Sequence, residues 1–250
     1  MYLFLKGHLG LSPDIFNELS KSAKFEDVIG GRQGTVLISP KGNSIPIVRT
    51  TTIYDEPAQP FQPVHYSVID EIKNKCGFGA DVEFNNALIE IYDPKYKKMK
   101  YHSDQAIDLD DDSYICLFSC YENHENYQND IRKLVIKNKG DNEETEIMLD
   151  NMSFVIFSTK TNKEYLHKIV LHGKESTNKW FGLTLRLSKT YVNFDGKEPI
   201  VESTGKPLRL AIDNEKVEFY KMRGAENRLV DFKYPELDYT ISPSDLMLVG

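Results

Sequence analysis

A mainly β (α+β) protein, built as an antiparallel sandwich or jelly roll, is predicted by three features of this sequence. Short apolar runs rich in β-branched and aromatic residues fill the middle of the chain, polar turns separate them, and no long helical periodicity lies between them. At 250 residues, 40% of them hydrophobic, the chain is long enough for one sizeable core with extensions.

Taken in order, Asp14–Ser22 and Val68–Lys75 read as short helices. Between them, Val36–Ser39, the turn Pro40-Lys-Gly-Asn43 and Ile45–Thr52 read as a hairpin, and Pro57, Pro60 and Pro63 mark an extended connection. Ala87–Tyr92 mixes β-branched and aromatic residues. Tyr114–Cys120 is almost continuously apolar, the pattern of a strand covered on both faces. Leu134–Ile136 and Glu146–Leu149 flank the turn-rich Lys139-Gly-Asp-Asn142 and form a second hairpin. Three more strands follow at Ser153–Phe157, Tyr165–Leu171 and Phe181–Leu187. The tail from about Asn193 carries β-like pieces, Leu208–Ile212 and Val217–Tyr220, and reads as an ordered extension.

The formal net charge is −7, so nothing draws the chain as a whole toward phosphate backbones or anionic lipid. A nucleic-acid contact would need a local basic patch. The three cysteines have no metal-finger spacing. Cys116 and Cys120 sit in an apolar run as small core residues, which suits a reducing compartment. The apolar start Met1–Leu5 is too short for a signal sequence, and no stretch approaches a membrane span. A cytoplasmic or nuclear protein with no membrane contact is expected.

Chemistry enters with His102-Ser103-Asp104. On a strand, residues two apart share a face, so an imidazole and a carboxylate could reach one metal. Two histidines and one carboxylate on one face of an octahedron, with the opposite positions open, form the ligand set of non-haem Fe(II) oxygenases. Taken alone the motif is near chance, since this composition yields about one His-x-acid match. Order strengthens it. His167 arrives on a later strand, and Arg186 sits inside an apolar strand, where a guanidinium needs a carboxylate partner, either a ligand's or an internal one.

These residues resemble the AlkB-like branch of the Fe(II)/2-oxoglutarate-dependent dioxygenases. Leu88–Tyr92 followed by Met99-Lys-Tyr-His-Ser-Asp104, then the apolar Tyr114–Cys120, Ser153–Phe157 leading to Tyr165-Leu-His167-Lys-Ile169, and finally Leu183-Thr-Leu-Arg186 carry the similarity over roughly residues 85 to 190. The resemblance implies a double-stranded β-helix (jelly roll) core over 85–192. It also implies N-terminal helices with a hairpin substrate lid over 1–84, and 193–250 as a C-terminal extension. His102, Asp104 and His167 would hold Fe(II). Tyr92 and Arg186 would bind 2-oxoglutarate, with O2 as the oxidant. His172 is a rival for His167, but it lies an odd number of residues away and would face the opposite side of a regular strand. Two positions depart from the family pattern. Glu90 stands where an asparagine is usual and Trp180 where a second arginine is usual, so Lys179 or another group would have to compensate.

The substrate the resemblance implies is alkylated DNA or RNA, demethylated by way of hydroxylation. Arg49 and Tyr54 are the candidate substrate contacts, within a segment that also offers Arg32, Lys41, Phe61 and Tyr66. The acidic balance and Ala106, at a point where nucleic-acid members often carry an acidic side chain, favour a hydroxylase of a small metabolite or protein side chain instead. The Asp108–Asp112 run reads as a solvated loop. A jelly roll that binds without turnover is the third reading, and retention of all three ligand types opposes it.

Overall fold

A computed structural model describes residues 3–97, 99–172 and 177–250; Met1 and Tyr2 of the apolar start lie outside them. In chain order the elements begin with β1 (Leu5–His8), α1 (Ile15–Ser20), β2 (Glu26–Ile29), β3 (Arg32–Ile38), β4 (Ile45–Pro46), β5 (Gln59–Pro60) and α2 (Pro63–Cys76). The core then supplies β6 (Asn86–Tyr92), β7 (Tyr114–Tyr121), β8 (Arg132–Asn138), β9 (Glu144–Leu149), β10 (Ser153–Ser158), α3 (Thr159–Glu164), β11 (Tyr165–Leu171) and β12 (Trp180–Arg186). After it come β13 (Tyr191–Asp195), β14 (Glu198–Val201), β15 (Lys206–Pro207), β16 (Arg209–Leu210), α4 (Asp213–Glu226) and β17 (Tyr239–Thr240).

Alternation along the central strands builds two layers at once. β6 turns Ala87, Ile89 and Ile91 to one face, β7 turns Cys116, Phe118 and Cys120, and β12 turns Phe181, Leu183 and Leu185. All nine pack with α1 and α2 through Phe16, Leu19, Val68 and Ile72. The opposite face carries Tyr92, Leu117, Tyr121 and Trp180, which meet Leu134, Ile136 and Ile169 of a second sheet. The main sheet runs β1-β10-β7-β12-β6-β3-β2, with β5 beside β3, and the facing sheet runs β11-β8-β9. Apart from the β3–β5 pair, both sheets are antiparallel. This is a jelly roll with its cavity between two sheets. Among the described residues no helix is long and apolar enough to cross a membrane.

The structure corrects two expectations. The stretch read as a lid hairpin is not one: β3 pairs along its whole length with β6 inside the main sheet, and β4 pairs with β13 from the far end of the chain. Leu37 and Ile38 are fully buried, so β3 pairs with β2 and β6 in the main sheet and not with β4, the strand that follows it. Val217–Tyr220 is helical. Phe219 and Met222, one turn apart, pack with Ala211, Tyr239 and Ile241, and the Glu215 carboxylate accepts from Ile212 N–H at the start of α4. A four-residue apolar window could not separate strand from helix.

Candidate metal and cosubstrate site

His102 and His167 face each other across an antiparallel bridge. Their backbones exchange hydrogen bonds, His102 N–H to His167 O at 3.0 Å and His167 N–H to His102 O at 2.6 Å. Lys97 and Met99–His102 run beside β11 as its edge partner, because Leu171 N–H reaches Lys97 O and Met99 N–H reaches Ile169 O. That pairing puts the two imidazoles 4.6 Å apart between ring centres. Asp104 lies off the strand, and α3 fixes it there. The Asn162 amide oxygen accepts from Asp104 N–H and its Nδ2 donates to Asp104 O, both at 2.7 Å. Ser158 caps α3 by accepting from Thr161 N–H at 3.0 Å.

The two residues at the other end of the ligand carboxylate's environment complete the cluster. Asp104 Oδ1 lies 3.3 Å from His167 Nε2, while Oδ2 accepts from Arg186 Nε and lies 2.7 Å from its Nη2. Among the described residues, this is the one group of His, Cys, Asp or Glu whose donor atoms converge, all within 4.8 Å of one another. Burial, with His167 and Arg223 nearby, pulls His102 down to about 3, so its imidazole is neutral at ordinary pH. Its Nδ1 lies 3.0 Å from Lys100 O, which orients the ring. Burial works against ionisation of Asp104, but Arg186 and His167 outweigh it and hold the carboxyl well below its ordinary range. Two imidazoles and an ionised carboxylate fit a divalent first-row metal.

The cluster opens into a cavity of about 490 Å³ between the sheets. Apolar walls come from Leu88, Ile115, Leu117, Leu134, Phe157 and Ile169. Register sets its two ends: Arg186 pairs with Asn86 at one end of β6, and Tyr92, with Glu90 and Arg32 beside it, lies at the other; the exposed Lys100 and Tyr220, with Tyr101 and Arg223, mark the mouth. Tyr92 is fully buried and donates its hydroxyl to Glu90 at 2.9 Å. Trp180 packs on Tyr92 with ring centres 4.8 Å apart and planes tilted by 39°, and its indole lies across Gly182, where any Cβ would collide with it. Arg132 lies over both rings, and its guanidinium donates to the carbonyls of Tyr96 and Asp93.

Several sequence expectations change here. Arg186 lines the cavity, as a cosubstrate contact would, and there it pairs with Asp104. Arg49 is not a substrate contact. It is 5% exposed, clamps Asp108 in a bidentate pair and donates to the carbonyls of Leu237 and Tyr239. Asp108 is accordingly buried and not part of a solvated loop, while Asp111 and Asp112 pair with surface lysines. Tyr54 is 3% exposed with its hydroxyl over Gly34, too enclosed to stack on a base. Lys179 pairs with Glu122 at the surface, away from the cavity lining. His172 is exposed at the end of β11.

The mouth has a wall that sequence reasoning left without a role. Arg223 of α4 donates to Ser103 O, Asn227 accepts from Ser103 N–H at 3.1 Å, and Glu226 accepts from Ala106 N–H at 2.8 Å. The C-terminal helix is thus tied to the residues flanking Asp104. Only contacts between segments more than 100 residues apart reveal this, so no local signal could have found it.

Comparison with protein families matches residues 33–193 to the 2OG-Fe(II) oxygenase superfamily. Among solved structures, OsALKBH1 aligns at 16% identity over 75% of this chain and 99% of its own, with a TM-score of 0.48. A Pseudomonas putida prolyl-4-hydroxylase aligns at 13% identity over 75% of this chain and 94% of its own, with a TM-score of 0.45. Comparison with curated protein sequences gives no match. A jelly roll, a convergent His-Asp-His cluster at a cavity and a family match spanning most of the chain agree: the chain belongs to the 2OG-Fe(II) oxygenase superfamily and is a dioxygenase that uses Fe(II), 2-oxoglutarate and O2.

Proposed function

We propose that His102, Asp104 and His167 hold the iron, that Tyr92 lies against the cosubstrate, and that the enzyme oxidatively demethylates alkylated nucleic acid. Iron with 2-oxoglutarate and O2 supplies the oxidising chemistry, releasing succinate and carbon dioxide. The chain's residues do the rest. Lys100 O orients His102, Asn162 and Arg186 fix Asp104, and the walls from Leu117 to Ile169 keep water from the reacting carbon. Hydroxylation of an N-methyl group gives a hemiaminal that sheds formaldehyde.

The observation carrying the nucleic-acid reading is the mouth. Tyr101 and Tyr220 line it beside Lys100 and Arg223, and Lys168 lies 4.0 Å over the Tyr101 ring with Lys137 at 5.7 Å. Cations interleaved with aromatic rings beside a deep pocket suit a phosphate backbone with one base turned inward. This patch is local: Glu144 and Glu146 stand near Tyr101 and Arg223 is paired with Glu226, so Lys100, Lys137 and Lys168 carry its positive charge. The test is an anaerobic mixture of protein, Fe(II) and 2-oxoglutarate, given oxygen together with methylated oligonucleotides. Formaldehyde equal to succinate is expected, and no formaldehyde from any methylated base sinks the demethylation reading. Ala106 and the acidic balance favour a second reading, a hydroxylase of a metabolite or protein side chain. Succinate release driven by such a substrate, without formaldehyde, selects it.

A further inference from the structure

We infer that Arg32, from the N-terminal strand β3, is the cation that receives the distal carboxylate of 2-oxoglutarate, with Glu90 as its positioning residue. The inference rests on the proposed metal site. A 2-oxo dicarboxylate chelates a metal through its oxo-acid end and leaves a second charged group, which needs a cation inside the cavity.

Four cations line that cavity: Arg32, Lys100, Arg186 and Arg223. Arg186 is held by Asp104 at the metal end. Arg223 is held by Glu226 and Ser103 O, and Lys100 is exposed at the mouth. Of these four, Arg32 alone stands at the far end, beside Tyr92; Arg132, over the Tyr92 and Trp180 rings, donates to the carbonyls of Tyr96 and Asp93 and is not part of the cavity lining. Strand register puts it there, since Tyr92 is directly opposite Arg32 on β3 and opposite Trp180 on β12. The three residues occupy one row across adjacent strands and project from the same face of the sheet. In that row the Trp180 indole lies over Gly182 and offers no charge, so the cation comes from the opposite neighbour of β6.

Local geometry presents the guanidinium for this task. Glu90 takes the Nε edge, Tyr92 O–H donates to the same carboxylate, and Nη2 reaches Thr52 Oγ1 at 3.2 Å. Holding the edge fixes the plane of the fork, whose terminal nitrogens match a carboxylate. Burial acts against the charge of Arg32, but Glu90 with Tyr92, Tyr54 and Tyr96 outweighs it, so the group stays cationic. A nearly buried Arg–Glu pair also contributes little stability over an apolar pair of similar size, so a ligand gives this one a reason.

The test is calorimetric binding of 2-oxoglutarate and of 2-oxobutyrate, which lacks the distal carboxylate, to full-length protein loaded with Mn(II) without oxygen. Glu90→Gln serves as the reference, because it leaves no unpaired carboxylate when Arg32 is then removed. Adding Arg32→Met to it weakens 2-oxoglutarate roughly 10- to 100-fold and leaves 2-oxobutyrate within about threefold. Equal 2-oxoglutarate affinity in the two variants overturns the inference, and so does a parallel loss of both ligands, which marks a purely structural role. If the double variant does not fold, Arg32→Lys in the native background still lowers the preference for 2-oxoglutarate over 2-oxobutyrate; an unchanged preference overturns the inference. Native protein that takes up Mn(II) but binds neither 2-oxo acid overturns the site reading itself, a result distinct from selective failure of Arg32.

Discussion

The two ends of the cavity are built in different ways. At the metal end, His102 and Asp104 are two residues apart and His167 is the strand partner of His102, so one bridge and one short helix assemble the cluster. At the far end, Arg32, Tyr92 and Trp180 come from three strands, brought into one row only by the pairing of β3, β6 and β12, with Glu90 two residues along β6 on the same face. The metal end keeps the residue types and spacing of the family pattern, whereas the far end departs from it at Glu90 and Trp180. Coordination chemistry fixes ligand type and geometry tightly, but any correctly placed cation can meet a carboxylate. One end is therefore constrained in sequence and the other only in space.

The comparison breaks most easily at the metal end. Asp104→Ala removes the proposed anionic ligand and leaves Arg186 without its Asp104 partner. Oxidation should fall by roughly a thousandfold or more, with metal affinity lost in calorimetry; unchanged turnover would remove Asp104 from the site. Next comes the Arg49–Asp108 pair, which separates scaffold from site. Arg49→Met leaves a buried carboxylate unpaired and should cost about 3–5 kcal/mol in urea unfolding, with Asp108→Leu added to it recovering much of the loss. A stable Arg49→Met protein with impaired substrate binding would return Arg49 to the substrate side.

A third prediction concerns acid. Burial lowers His65 to about 4 from an ordinary 6.5, and its Nδ1 accepts from Gln62 N–H at the start of α2. A histidine depressed in the folded state binds its proton more readily when unfolded. Its stabilisation is therefore complete above about pH 6.5 and lost progressively as the pH falls toward 4, by about 3 kcal/mol in all. Unfolding curves of His65→Gln should lack that part of the acid slope. The loss lies outside the cavity and should leave metal binding at pH 7.5 unaltered.

At the metal end again, Asn162→Ala removes both side-chain bonds to the Asp104 backbone. Metal affinity should fall about tenfold or somewhat more while the metal-free fold persists. The smallest effect belongs to the mouth. Lys168→Ala should weaken binding of a single-stranded oligonucleotide only a few-fold, reduce its salt dependence by about one ion, and spare 2-oxoglutarate binding. An unchanged salt slope would detach this lysine from the phosphate path.

Much of the fold could be read from local pattern. The run Tyr114–Cys120 is buried on both faces because α1 and α2 cover one side and the second sheet the other. The turn after Asn138 marks the β8–β9 hairpin, with Leu134 opposite Ile147. What failed did so for one reason. Val36–Ile38 and Ile45–Pro46 look like two arms of a hairpin, yet each found a longer-range partner that buried it better. Arg49 looked like an exposed lid cation, but its partner Asp108 lies 59 residues away.

The sequence by itself offered the donor set, two histidines and an aspartate in the order of the family pattern, with His167 on a strand and His102 paired beside it. Which arginine braces Asp104, which faces the far end of the cavity, which is locked into the scaffold, and that the C-terminal helix walls the mouth were decided only by tertiary structure. A guanidinium's role depends on the carboxylate it meets, and for Arg32, Arg49 and Arg186 that partner is 58, 59 and 82 residues away.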